Sequence, residues 1–185
     1  SLRDVTFLNL MNKRFYRVLI IANPYDAFML EDDGRIDEKL FNEYTELGLR
    51  YPPTFTQVST TEEARAVLTS VDVNLVICMP GNLDNGAFDV ARAVKADFPH
   101  LPCVVLTPFS HGITRRMQNE DLSMFDFVFC WLGNTNLILS IIKIIEDSMN
   151  LEHDVNEGVQ VILFVEDSIR FYSSLLPPLY NFILV

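Results

Sequence analysis

Five short apolar runs punctuate the chain: Arg17 to Ala22, Phe55 to Val58, Asn74 to Met79, Cys103 to Thr107 and Phe127 to Trp131. Most are followed by a segment whose apolar residues recur at helical spacing. Strands alternating with helices are joined by crossovers, so they pair in parallel, and right-handed crossovers set helices on both faces of the sheet. A strand covered on both faces should be apolar along its length, as Val18-Leu19-Ile20-Ile21 is. The pattern predicts a three-layer α/β/α architecture around a doubly wound five-stranded parallel sheet.

The helical segments run from Asp26 to Leu49, interrupted at Glu31-Asp32-Asp33-Gly34 and closed by Tyr51-Pro52-Pro53; from the cap Ser59-Thr60 with Glu62-Glu63 to Ser70; from the turn Asp84-Asn85-Gly86 through Phe88 to Phe98; and from Leu137 to Met149. An apolar stripe over Leu2 to Phe15 predicts an extra N-terminal helix within 1–16. Residues 17–149 then form one module, and the polar, acidic stretch 150–158 reads as a linker. Beyond it Val161 to Val165 repeats the strand pattern and delivers adjacent carboxylates, Glu166 and Asp167. An amphipathic segment follows with Phe171, Leu175, Leu176, Leu179 and Phe182, which Pro177-Pro178 should kink or break. Residues 159–185 thus read as the truncated first strand and helix of a second, related module. A strand without its own sheet should find cover, either on the first module or on the same segment of a second copy.

Charge narrows the function classes. With 14 Lys and Arg against 25 Asp and Glu, a net charge of −11 and a pI near 4.6, the chain is a poor candidate for binding a phosphate backbone. The most apolar helix, Leu137 to Ile145, is broken by Ser140 and Lys143 and is too short for a membrane span. Cys78, Cys103 and Cys130 each lie inside an apolar run without C-x-x-C spacing, which fits small buried hydrophobes rather than metal or redox ligands. His100, His111 and His153 have no partner at ligand spacing, and the acidic patch Glu31 to Glu38 lacks the spacing of a calcium loop, so no metal is expected. Ser1 in place of an initiator Met, and no charged-then-apolar leader, give a trimmed chain with the cytoplasm as the expected compartment.

Ligands of an open parallel sheet sit beyond the carboxyl ends of its strands, which points to Asn23-Pro24, Met79, Thr107 and Cys130. Here the chain resembles a response-regulator receiver domain of flavodoxin-like fold. Met79-Pro80-Gly81 through Gly86 is similar to that family's loop after strand three, Val104-Val105-Leu106-Thr107 to its fourth strand ending in a hydroxyl residue, and Asp126-Phe127-Val128 to its fifth. The likeness covers about 17–149 and restarts at Val161 to Ser168. Receivers accept a phosphoryl group on an Asp after strand three, hold Mg²⁺ with an acid pair after strand one, and use a Thr or Ser after strand four and a Lys after strand five. The resemblance puts Met79 at the acceptor, Asn23 and Pro24 at the acid pair and Cys130 at the Lys, and retains only Thr107. A thioether cannot form an acyl phosphate, and an amide beside a proline cannot replace two carboxylates on a hard cation. Asp26 or Asp84 as a displaced acceptor would still lack a metal site, and both residues suit a helix start or a turn.

The resemblance therefore implies a receiver-like regulatory or docking module that is not phosphorylated, with no catalytic residue and no cofactor of its own. Its partners would be proteins: other domains of a larger chain or a second copy in a homodimer. The alternative is a two-component response regulator fragment acting through the second receiver, with Glu166 and Asp167 as its acid pair. The aromatic alternation Phe125, Phe127, Phe129, Trp131, with Phe109 nearby, reads as core or as an interaction surface at strand five. Phrases such as Tyr25 to Arg35, Tyr51-Pro52-Pro53, Leu106 to Phe109 and Val165 to Tyr172 also resemble the N-terminal region of bacterial phosphoenolpyruvate synthase or pyruvate phosphate dikinase proteins. Mg and ATP would then belong to the parent phosphotransferase alone.

Overall fold

The computed structural model describes residues 13–25, 36–49, 51–81, 86–108, 121–131, 135–166 and 168–184. Five strands form one sheet: β1 (Arg17–Ile21), β2 (Thr54–Val58), β3 (Leu75–Cys78), β4 (Cys103–Pro108) and β5 (Phe127–Trp131). They lie in the order β2-β1-β3-β4-β5, and every pairing is parallel. The expected doubly wound α/β sheet is present, with β2 and β5 as its edges.

The helices are α1 (Ile36–Glu46), α2 (Thr61–Ser70), α3 (Gly86–Asp97), α4 (Asn136–Asn156) and α5 (Ile169–Leu184). Alternation along each strand sends side chains to two cores. Val18, Ile20, Leu75, Ile77, Val104, Leu106 and Phe129 meet α1, α4 and α5 on one face. Leu19, Ile21, Val76, Cys78, Cys103 and Val105 meet α2 and α3 on the other. Burial of the strand interiors, with Leu19, Val76, Ile77, Val104 and Val105 fully enclosed, is what the unbroken apolar runs demanded.

Helix ends follow local chemistry. Thr60 caps α2 in a reciprocal box: its hydroxyl accepts the Glu63 N–H, and the Glu63 carboxylate accepts from the backbone of Ser59 and Thr60, which holds that carboxyl below its usual range. α1 stops at Gly48, whose φ of 64° lets Leu49 N–H reach Tyr44 O at 2.7 Å and Gly48 N–H reach Thr45 O at 3.1 Å. The same device ends α4: Gly158 has φ 86°, and Val159 N–H donates to Asp154 O.

That second stop corrects the reading of 150–158. The stretch is helical to Asn156, because no Gly or Pro interrupts it before Gly158 and Asn150 is buried against the body of the fold. Residues 1–12 of the expected N-terminal helix lie outside the described residues, and Lys13 to Tyr16 are not helical. They run along α4 instead. Asn150 mimics a strand neighbour, accepting from Lys13 N–H and donating to Lys13 O, both at 2.8 Å. Glu146 accepts the Phe15 N–H at 2.7 Å with one oxygen and the Lys143 ammonium at 2.7 Å with the other. Lys143 also lies over the Tyr44 ring, 5.7 Å from its centroid.

Two expectations for the tail are also corrected. Val161 to Glu166 form no strand, and α5 packs against β5, one of the sheet's two edges. Nor do Pro177 and Pro178 break α5, which runs through both. Ser173, Leu176, Pro177 and Tyr180 are buried, so contacts on both sides of the prolines hold the two halves to one core against the local cost.

Glu146→Ala should lower stability by about 3–5 kcal/mol in urea unfolding, because it strands the buried Lys143 charge. Arg65→Ala, at the exposed pair with Asp97, should barely move the midpoint. Burial pushes the Cys103 thiol up to about 12 and raises Cys78 well above 9.0. At pH 8 both should resist alkylation in the folded protein, while all three cysteines react in urea. Above pH 9 unfolded thiols ionise and folded ones stay protonated, so stability should fall as pH rises.

Candidate functional site

The parallel register brings the carboxyl ends of the strands together. Ile21 lies beside Val58 and Cys78, Cys78 beside Val105, and Thr107 beside Cys130. Immediately beyond these positions are Ala22, Asn23 and Pro24 after β1 and Met79 after β3. The sequence positions Asn23, Met79, Thr107 and Cys130 therefore share one end of the sheet. Asp26 lies outside the described residues.

Met79 extends the ladder by one bond, its N–H donating to Ile21 O at 2.8 Å. Strand alternation sends its thioether the same way as Leu75 and Ile77, into the core beneath α1 and α4, and only 4% of the residue is exposed. It fills space rather than presenting a group to solvent. Asn23 is half-buried, and Pro24 is exposed and already helical. Thr107 is buried at the end of β4.

Cys130 is 5% exposed, and burial raises its thiol pKa, opposed by the nearby Arg170 guanidinium. The group at this position is thus a neutral thiol. Its backbone matters more: Cys130 N–H points off the open edge of β5 and donates to Ser173 Oγ at 2.8 Å, while Ser173 Oγ–H donates to Ile169 O at 2.7 Å. Ser173 went unnoticed in the sequence because a lone Ser in an apolar helix gives no signal of what lies opposite.

The fit of a divalent cation can be tested on these residues. Ala22, Asn23, Pro24, Met79, Thr107 and Cys130 supply no carboxylate, and no group of three His, Cys, Asp or Glu side chains is placed to hold a metal among the described residues. The set does not fit Mg²⁺. Glu166 is half-buried and spends one oxygen on the Ser168 N–H at 3.0 Å, far along the chain from this end of the sheet; Asp167 lies outside the described residues.

The aromatic alternation at β5 resolves toward packing. Phe129 and Phe125 are buried, Phe127 and Trp131 are partly so, and Phe109 lies outside the described residues. Phe127, Phe129, Tyr172 and Phe164 stack in sequence with centroids 5.8, 6.0 and 5.2 Å apart, so α5 occupies the surface that β5 would offer a partner. Near its far end α5 is tied to α4 by Tyr180 Oη–H donating to Asp147 at 2.6 Å. Burial raises the Asp147 carboxyl pKa.

No family model and no curated protein matches this chain. Solved structures do. The CheY-like response regulator receiver domain protein from Methanospirillum hungatei is 17% identical with a TM-score of 0.51, covering 75% of this chain and 98% of its own. The receiver domain of AraT, a response regulator from Geobacillus stearothermophilus, is 14% identical with a TM-score of 0.50, covering 75% and 98%. The structure of adenylate cyclase from Rhodopirellula baltica is 12% identical with a TM-score of 0.50, covering 78% and 99%. Such likeness concerns backbone alone and leaves activity to be argued from the site. The chain has the flavodoxin-like fold of receiver domains.

Proposed function

We propose that this chain is a receiver-like signalling module that works through protein contact and does not accept a phosphoryl group. The observation that carries the reading is Met79: the position where the resemblance puts the acceptor carboxylate holds a thioether turned into the core. The surrounding positions agree with it. An amide and a proline stand where the metal-binding acids would be, and a neutral thiol replaces the ammonium that would meet the transferred group. Without a nucleophile, a cation or a countercharge, in-line phosphoryl transfer has none of the parts that lower its barrier.

What remains is a rigid α/β body with a modified edge. Modules of this kind regulate by presenting a surface to other domains or to a second copy, and the reading makes this chain a non-catalytic regulatory or docking unit. The phrase similarity to phosphoenolpyruvate synthase and pyruvate phosphate dikinase proteins supports a parent that moves phosphoryl groups between ATP and pyruvate. In that setting the module would be a regulatory appendage rather than a catalytic part.

Incubation with a small acyl-phosphate donor and Mg²⁺, followed by intact-mass measurement, should leave the protein unmodified. A stoichiometric adduct that hydroxylamine removes would overturn the reading.

A further inference from the structure

Helix α5 is apolar on two sides. Its inner stripe, Ser173, Leu176, Pro177 and Tyr180, is buried on β5 and α4. Its outer stripe, Phe171, Leu175, Pro178 and Phe182, falls at i, i+4, i+7 and i+11 and is exposed along its whole length, with Phe171 at 60% and Phe182 at 85%. A helix lying on a sheet ordinarily turns charge outward, yet Arg170 is the sole charged residue from Ile169 to Leu184. The segment before it is likewise apolar and open. Phe164 is turned in onto Tyr172, while Leu163 is 86% and Val165 80% exposed, and Val161 and Ile162 are open as well.

Nine large apolar side chains between 161 and 184 are exposed in this way. At roughly 100 Å² of open surface each, they total on the order of 900 Å² over the segment, close to the share each partner contributes to a standard interface.

We propose that residues 161–184 are a self-complementary surface through which two copies of this chain associate. The outer stripe of α5 packs on its mate, and Val161 to Val165 pairs antiparallel with the same segment across the two-fold axis. Charge favours a second copy over other occupants. A chain of net charge −11 repels its like least where acids are few, and α5 has none, the sequence placing Glu166 and Asp167 before it. An anionic lipid surface would call for several Lys and Arg flanking the apolar stripe, and α5 contains one basic residue, Arg170. Pairing also supplies partners for the backbone of Val161 to Val165, which belongs to no strand of the sheet.

The test is light scattering on the full chain at rising concentration. The expected molar mass is twice the 21.2 kDa of one chain, and Phe171→Glu with Phe182→Glu should return it to one chain with an unchanged far-ultraviolet spectrum. If that pair of changes unfolds α5, Leu163→Lys with Val165→Lys on the extended segment should have the same effect on mass. A chain that stays monomeric at the highest concentration, a dimer that survives both double variants, or a monomer that floats with phosphatidylcholine vesicles would each overturn the proposal.

Discussion

The cover that α5 gives to β5 is the contact on which the architecture depends. A parallel sheet is stable only with both faces buried, and its edge strands leave backbone groups open to water or to other chains. β5 is such an edge, and its Cys130 N–H is satisfied by a serine hydroxyl that is itself 1% exposed. Leaving that N–H unpaired would cost about 1–3 kcal/mol. Burying Leu176 and Tyr180 in the core shared with β4 and β5 adds about 1.5–3 kcal/mol for each large apolar side chain. Tyr180 to Asp147 and Tyr172 to Phe129 fix the helix at two points, which explains why two prolines bend no part of it away. The tail that reads as the start of something else packs, in this fold, on β5 and α4.

That arrangement and the state of the strand ends point the same way. The receiver fold delivers loop residues to one end of its sheet, and among the described residues those at that end include a buried thioether, an amide, a proline, the Thr107 hydroxyl and a neutral thiol. Met79 contributes to the core that α1 and α4 cover. Structures described as an adenylate cyclase and as a response-regulator receiver share this fold, so the fold by itself assigns no function.

Sequence pattern carried the sheet because its signal is strong and local. Unbroken apolar runs, the Thr60 to Glu63 cap and the stop before Pro99 each have one physical reading, and each appears in the structure. The strand-end residues were legible for the same reason, since the ends of apolar runs fix them. Errors came where a local pattern met a tertiary decision. Val161 to Val165 has strand composition but pairs with neither edge of this sheet, and 150–158 has linker composition but no Gly or Pro before Gly158. Ser173, Glu146 and Asn150 escaped notice because their roles depend on partners 43, 131 and 137 residues away. Lys143 was visible only as a flaw in an apolar run, whereas its ammonium is part of the network that holds Phe15.

Amide hydrogen exchange followed residue by residue tests the central claim most directly. If α5 closes the first module, the amides of Cys130, Leu176 and Tyr180 exchange as slowly as those of Val104 and Leu106, and Ser173→Ala speeds Cys130 selectively. Exchange of 169–184 at the rate of an unstructured peptide, with β4 still protected, would show that the helix is not part of this fold.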